Sequence, residues 1–134
     1  MEPQSSVNQP KISPGQVWVC DRNGSTPPLL CVVGMIDPHS QTRGEARIIS
    51  LFVTPHPDAK KDGWPNVAHL PVLEDALKSS NLRLVKDNVQ PGCRFESGYA
   101  LWREKFDQGD AGVFEISISE AYAGIVSLLT DRDK

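Results

Sequence analysis

The chain has 134 residues, with 14 lysines and arginines against 17 aspartates and glutamates and a formal net charge of −3. This length suits one domain with one core, and 39% hydrophobic residues is ordinary for a soluble protein. No apolar run approaches the roughly 20 residues that a membrane-spanning helix needs. The acidic balance disfavours nucleic-acid binding, which usually requires a basic surface.

Residues 1–13 are polar and contain prolines, which predicts a flexible leader. We expect a single domain over residues 14–130 and a solvated tail over 131–134. The leader has neither the basic start nor the apolar centre of a signal peptide. An odd number of cysteines without metal-type spacing indicates a reducing compartment, so we expect a cytoplasmic location. The three are Cys20, Cys31 and Cys93.

Three apolar runs rich in β-branched residues predict three consecutive strands in the first half of the chain, at 16–20, 29–36 and 45–54. The pair Asn23-Gly24 after the first run is a strong turn signal. The second run is almost continuously apolar, as in a strand that is buried on both faces. A short polar connection indicates that the second and third strands form an antiparallel hairpin.

The next segment, residues 55–65, contains three prolines, a glycine and several charges and predicts a surface loop. Trp64 is its only large apolar residue, which favours contact with a partner or a second copy of the chain. Residues 66–72 predict a short edge strand, because Pro71 is poorly compatible with a central strand. A helical turn at 73–77 and a strand at 82–85 follow.

The end of the chain predicts a helix, a short strand and a second helix. The first helix places three aromatic residues on one face and ends at Gly109. Residues 113–116 predict the strand, and Ser117 with Glu120 forms a capping box that begins the second helix. The aromatic residues expected in the core are Tyr99, Trp102 and Phe106, and the residues that the second helix is expected to bury are Ala121, Ile125, Leu128 and Leu129.

Consecutive strands followed by helices near the C-terminus indicate an α+β fold. We expect a small, strongly bent antiparallel sheet or a partly open SH3-like barrel, with the helices packed towards the C-terminal end.

The histidines suggest one metal site. If the fourth strand returns from the end of the third, His56, Asp58 and His69 could supply two nitrogens and a carboxylate. His39 is expected at the other end of the hairpin, because a strand of about seven residues spans roughly 20 Å. These three residues make a metal-dependent hydrolase one alternative, and solvated loop and edge side chains are the other interpretation.

The runs PGQVWVCD, PPLLCVVGMID and ARIISLFVTP follow one another within residues 14–55. Their order resembles the first three strands of the small barrel in bacterial growth-inhibitor ribonuclease toxins of plasmid-maintenance type. Thr54 matches the hydroxyl residue that ends the third strand of that barrel. Residues 26–28 stand where those toxins have a basic residue, so the resemblance implies a ribonuclease that uses Thr54 with Arg22 or Arg47 as a displaced cation.

The closing run GYALWREKFDQGDAGVFEISISEAYAGIV is similar to the C-terminal part of a family of small bacterial proteins without an assigned activity. This resemblance implies family membership and no mechanism. The sequence contains neither a glycine-rich phosphate loop nor a nucleophile-elbow motif. Our leading hypothesis is therefore a non-catalytic module without a cofactor, which binds a partner protein or a second copy of itself.

Overall fold

The computed structural model describes residues 12–24, 26–38, 47–57, 63–78, 80 and 82–132 of the chain. These residues form an antiparallel sheet and three helices. The strands are β1 (Val17–Cys20), β2 (Leu29–Pro38), β3 (Arg47–Pro55), β4 (Val67–Leu73) and β5 (Leu82–Lys86). The helices are α1 (Glu74–Lys78), α2 (Cys93–Asp107) and α3 (Ile118–Arg132).

The sheet has five strands in the order β4-β3-β2-β1-β5, and each neighbouring pair is antiparallel. It does not close on itself, so β4 and β5 are its two edges. The α+β fold class and the C-terminal position of the helices are confirmed. The edge position of β4 also agrees with the prediction from Pro71.

The two faces of the sheet carry different side chains, because successive residues of a strand point to opposite faces. We call the apolar one the α3 face, since α3 covers it. Its fully buried residues include Leu29, Val33, Ile49, Leu51, Leu70 and Val72, together with Ile118, Ala121 and Tyr122 of α3. The opposite face, which we call the α2 face, presents Gly34, Asp37, Ser50 and His69 towards α2.

The predicted capping box at the start of α3 is confirmed. The Glu120 N–H donates to Ser117 Oγ over 3.3 Å, and the Ser117 N–H donates to Glu120 Oε1 over 3.4 Å. Within the helix Ala121 is fully buried and Ile125 packs against the core, as expected, but Leu128 is 65% exposed. The prediction for Leu128 is wrong because, among the described side chains of α3, Val126 is the last that packs against the core. The Leu129 side chain lies outside the described part.

Two further elements differ from the prediction. The helix α2 begins at Cys93, earlier than its aromatic face suggested, so this exposed cysteine is the first residue of a helix. The predicted strand at 113–116 is reduced to one bridge, in which Phe114 pairs with Val72 in parallel. The bridge stays short because the chain turns into the cap of α3 at Ser117.

A single glycine allows α2 to approach the sheet. Gly34 lies at an irregularity between Val33 and Met35, where the register of β2 against β3 shifts. A Cβ atom placed on Gly34 would lie 2.2 Å from the ring of Phe95, which is buried. The Phe95 ring therefore occupies the space that the side chain of any other residue at position 34 would fill. This close fit positions α2 on the sheet.

Candidate functional site

The residues suggested by the toxin resemblance do not form one group. Thr54 and Arg47 lie seven residues apart on β3, which is roughly 23 Å along a strand. The Thr54 hydroxyl donates to Asn66 Oδ1 over 2.6 Å. Both Nε and Nη2 of Arg47 donate to the Glu74 carboxylate, over 2.9 and 2.6 Å, which raises the pKa of Arg47. The structure therefore separates this arginine from Thr54.

Arg22 is the other arginine of that hypothesis, and it lies at the same end of the sheet as Thr54. Val19 is paired with Leu30, and Leu30 is paired with Thr54. Arg22 follows β1 and is exposed. A ribonuclease built on Thr54 would accordingly depend on Arg22.

The two histidines of the metal hypothesis lie apart in the structure. The backbone N–H of His56 donates to the Pro28 carbonyl and continues β3, whereas His69 lies beside Leu70, the partner of Leu51. The two histidines are therefore about four residues, or roughly 13 Å, apart along the strands. Asp58, like His39, lies outside the described residues. Among residues whose positions are described, no group of three metal-ligating side chains is found.

Trp64 is half-buried and is directed towards the core. Its ring lies 6.0 Å from that of Tyr122, centroid to centroid, and it packs against the apolar cluster of the α3 face. The Tyr122 hydroxyl donates to the carbonyl of Pro65 over 2.6 Å. Trp64 thus fixes the end of the 55–65 segment to α3, while a role in partner binding stays a prediction.

The densest group of aromatic and polar side chains surrounds His69 on the α2 face, and we call it the His69 cluster. The His69 ring centroid lies 5.2 Å from that of Trp102 and 5.7 Å from those of Phe95 and Tyr99. On the sheet side, His69 Nε2 and Ser50 Oγ are 2.9 Å apart in a hydrogen bond. The cluster forms because β4 directs His69 towards α2 and the helix repeats its aromatic residues at positions i, i+4 and i+7.

A carboxylate next to the cluster fastens α2 to the end of β2. The Tyr99 hydroxyl donates to Asp37 Oδ2 over 2.7 Å, and Arg103 Nη1 lies 3.8 Å from Asp37 Oδ1. Arg103 also forms an ion pair with Asp107 at 3.2 Å. Burial, together with the hydrogen bond to Asp37, raises the pKa of Tyr99 to about 12. Tyr99 is therefore a stable neutral donor at neutral pH.

His69 is neutral at neutral pH as well. Burial among the rings of α2 lowers its pKa from 6.5 to about 4, and the negative charge of Asp37 opposes this shift only in part. A neutral imidazole has one N–H donor and one acceptor nitrogen. The cluster therefore contains a histidine that can donate one hydrogen bond and accept another without carrying charge.

The Ser50–His69 hydrogen bond has the spacing of a nucleophile and its base, but its surroundings do not allow that chemistry. Ser50 is 0% exposed, so a substrate has no access to its hydroxyl. Asp37, the carboxylate whose charge acts on His69, is bonded to Tyr99 and Arg103 and forms no described hydrogen bond with the imidazole. The pair is therefore a buried structural contact between β3 and β4.

A cleft of about 390 Å³ lies at the edge of β4, and we call it the His69 cleft. The indole N–H of Trp102 donates to the Gly112 carbonyl over 2.9 Å and joins two of its walls. The remaining lining includes His69, Pro71, Val113, Phe114 and Ile125. Both helices contribute to this cleft. They can do so because β4 is an edge strand, and residues from the two faces of the sheet come together at an edge.

Sequence reasoning named His69 and Trp102 but assigned them other roles, in a metal site and in the core. The alternation in NVAHLPV, with His69 beside the buried Leu70, was the signal that this histidine faces away from the apolar core. Phe95, four residues before Tyr99, extends the aromatic stripe of α2. No local signal in the sequence indicated that α2 and β4 meet.

Comparisons of the chain with models of protein families, with curated proteins and with solved structures found no match. None of the helices within the described ranges is both long and apolar enough to cross a membrane. Function therefore has to be inferred from the geometry of the His69 cleft.

Proposed function

We propose that the protein is a non-catalytic module that binds an extended, apolar segment of a partner protein in the His69 cleft. The observation that supports this proposal is the cleft itself. Its volume of about 390 Å³ falls in the range of ligand sites, which are mostly apolar with a few placed polar groups. Within the described lining, His69 is the only titratable side chain, which suits recognition better than acid–base catalysis.

Exposed apolar side chains close in sequence to residues of the cleft support the same proposal. Of the five exposed large hydrophobic residues in the described part of the chain, three follow or precede cleft residues closely in the sequence: Leu101 at 58%, Ile116 at 46% and Leu128 at 65%. Leu101 adjoins Trp102 in the sequence, Ile116 follows Phe114 by two residues, and Leu128 follows Ile125 by one helical turn. Apolar surface that is grouped around a concavity is typical of protein interaction sites.

Peptide selection tests this proposal on the full chain. A displayed peptide library is selected on the wild-type protein, and enriched peptides are then measured against Val113→Trp, which fills the cleft. We expect enriched peptides to carry apolar residues and to bind Val113→Trp at least about tenfold more weakly, a loss of roughly 1.4 kcal/mol.

The matched control is Val85→Trp, which adds the same side chain to β5 at the opposite edge of the sheet, where Val85 is 48% exposed. Its affinity for the peptides should equal that of the wild type. Peptides that bind Val113→Trp as tightly as the wild type, or a selection without enrichment, would contradict the proposal.

A second copy of the chain is the alternative partner, because α3 contributes Ile125 to the cleft and also carries the exposed Leu128. Sedimentation of the wild type and of Leu128→Glu distinguishes the two cases. A concentration-dependent dimer that Leu128→Glu dissociates would identify the partner as a second copy. A cytoplasmic location belongs to the same proposal, and cell fractionation tests it.

A further inference from the structure

The buried hydroxyl of Ser50 limits how the imidazole of His69 can be protonated. Ser50 is 0% exposed, and within the part of the chain that the structure describes its Oγ has one hydrogen-bond partner, Nε2 of His69, at 2.9 Å. Buried polar hydrogens are almost always bonded to an acceptor. Since no solvent reaches this hydroxyl, its hydrogen is directed at Nε2.

It follows that Nε2 is an acceptor and that the single proton of the neutral ring is on Nδ1. The opposite arrangement, with Nε2–H donating to Ser50, would leave the serine hydrogen without an acceptor among the described groups. The lowered pKa of His69, which results from burial, excludes a doubly protonated ring at neutral pH. Among the described residues, Ser50 is the only hydrogen-bond partner of the ring, so Nδ1–H has no acceptor there. The ring itself lines the His69 cleft.

We infer that His69 presents Nδ1–H to the His69 cleft as a fixed donor, and that the bound partner segment places a backbone carbonyl oxygen on it. This inference rests on the proposed function and names the polar group that the cleft recognises. A partner that fills the cleft with an apolar side chain alone would bury the Nδ1–H without an acceptor. Such a partner would bind more weakly than one that supplies a carbonyl.

The choice of a backbone carbonyl follows from the adjoining stretch of β4. There the Phe114 N–H donates to the Pro71 carbonyl and the Leu73 N–H donates to the Phe114 carbonyl, each over 2.9 Å. The backbone at Phe114 thus already pairs with this edge through one bridge, at Val72. A partner segment in the same orientation would bring its own amides to the cleft, as in other cases of strand addition at a sheet edge.

The donor is held in place before any partner binds. Three rings of α2 surround the imidazole at 5.2 to 5.7 Å. A Cβ atom at Gly98 would lie 3.0 Å from the Cβ of His69, so the helix backbone closely approaches the histidine. Little rotamer freedom is therefore lost on binding, which favours affinity.

The protonated nitrogen can be measured directly without a ligand. Long-range ¹H–¹⁵N NMR of the full chain, labelled with ¹⁵N-histidine at neutral pH, distinguishes the two tautomers, and His69→Gln assigns the signal. We expect the Nδ1–H form in the wild type and a mixture of both forms in Ser50→Ala. An Nε2–H form in the wild type would overturn the inference.

A second measurement tests the carbonyl. In the tightest-binding peptide from the selection, each backbone amide is replaced in turn by a thioamide, whose sulfur is a poorer acceptor. One position should weaken binding to the wild type about tenfold and have no effect on binding to His69→Phe. Equal losses at every position, or the same loss in His69→Phe, would overturn the inference and leave the proposed function intact. If no peptide binds in the cleft, both fail.

Discussion

The two faces of the sheet are covered by helices of equal length, but the side chains that contact the helix differ between the two faces. On the α3 face, apolar side chains of four strands pack against Ile118, Ala121 and Tyr122 without an intervening charge. On the α2 face, the helix instead meets a glycine, a serine, a histidine and an aspartate. The difference indicates that the α3 face supplies most of the stability, whereas the α2 face fixes the position of a few side chains.

The His69 cleft is lined by residues from both faces of the sheet. The α2 face contributes His69 and Trp102, which are oriented by hydrogen bonds and ring contacts. The α3 face contributes the apolar surface of Phe114 and Ile125. The proposed binding site would therefore combine one placed donor with an apolar wall.

The largest expected effect comes from truncation on the α3 face. Tyr122 is fully buried and touches both the core and the 63–65 segment. Tyr122→Ala should lower the free energy of unfolding by about 4 kcal/mol in urea denaturation, because it leaves a large cavity. Leu128→Ala, on the exposed turn of the same helix, should change it by less than about 0.5 kcal/mol. Similar values for the two variants would contradict the assignment of stability to this face.

The second largest effect is expected from acidification, which should lower the free energy of unfolding through His69 on the α2 face. The pKa of His69 is about 4 in the folded chain against a usual 6.5, so the unfolded chain binds more protons between these values. Stability should therefore be unaffected by His69 above pH 6.5, fall as the pH drops towards 4 and level off below it. The loss should reach at most about 3 kcal/mol, at 1.36 kcal/mol per pKa unit.

His69→Phe isolates this contribution from that of the carboxylates of the chain, since carboxylates usually titrate near pH 4. The difference in unfolding free energy between wild type and variant should shrink by that amount from pH 7 to pH 4. A difference that stays constant with pH would mean that His69 titrates normally and is not held neutral by the rings of α2.

A methyl group at position 34 should displace α2. Gly34→Ala would place its Cβ 2.2 Å from the ring of Phe95, and we expect it to cost about 2 kcal/mol, as is common for overpacking. Gly124→Ala in α3 is the matched control, because a Cβ there meets nothing within 4 Å. It should stabilise the protein by up to about 1 kcal/mol. Thermal unfolding measures both, and a stabilised Gly34→Ala would contradict the close approach of α2.

The smallest effect concerns the link between α2 and β2. Tyr99→Phe removes the hydrogen bond to Asp37, while Arg103 still pairs with the carboxylate, so we expect a loss of about 1 kcal/mol. The same substitution in an Asp37→Ala background, which lacks the acceptor, should cost much less, and a double-mutant cycle measures this difference. Additive effects would show that the bond does not hold the helix.

Local signals were sufficient for most of the fold. Some short motifs determine the local conformation of the residues around them, as do Asn23-Gly24, Pro71 and the Ser117–Glu120 capping box. The strands, the edge position of β4 and the start of α3 were predicted from such local signals. The packing of α2 on the sheet was not, because it depends on the fit between Gly34 of β2 and Phe95 across more than sixty positions. Leu128 was misassigned for a related reason, since helical periodicity does not reveal where the covering surface ends.

The site was predictable only in part. His69 and Trp102 stood out as residue types, but their common environment arises from tertiary contacts between β4 and α2. Likewise, Arg47 suited a catalytic cation until the structure paired it with Glu74. Ion pairs between residues far apart in the chain cannot be predicted from the periodicity of the sequence.

The indole N–H resonance of Trp102 gives the most direct test of the central claim, that the His69 cleft is the binding site. It is followed by NMR while a selected peptide is titrated into the full-length protein. The account predicts that the Trp102 signal and the His69 ring signals shift together and saturate, while the indole signal of the buried Trp18 is unchanged. Saturable binding that leaves the Trp102 and His69 signals in place would contradict it.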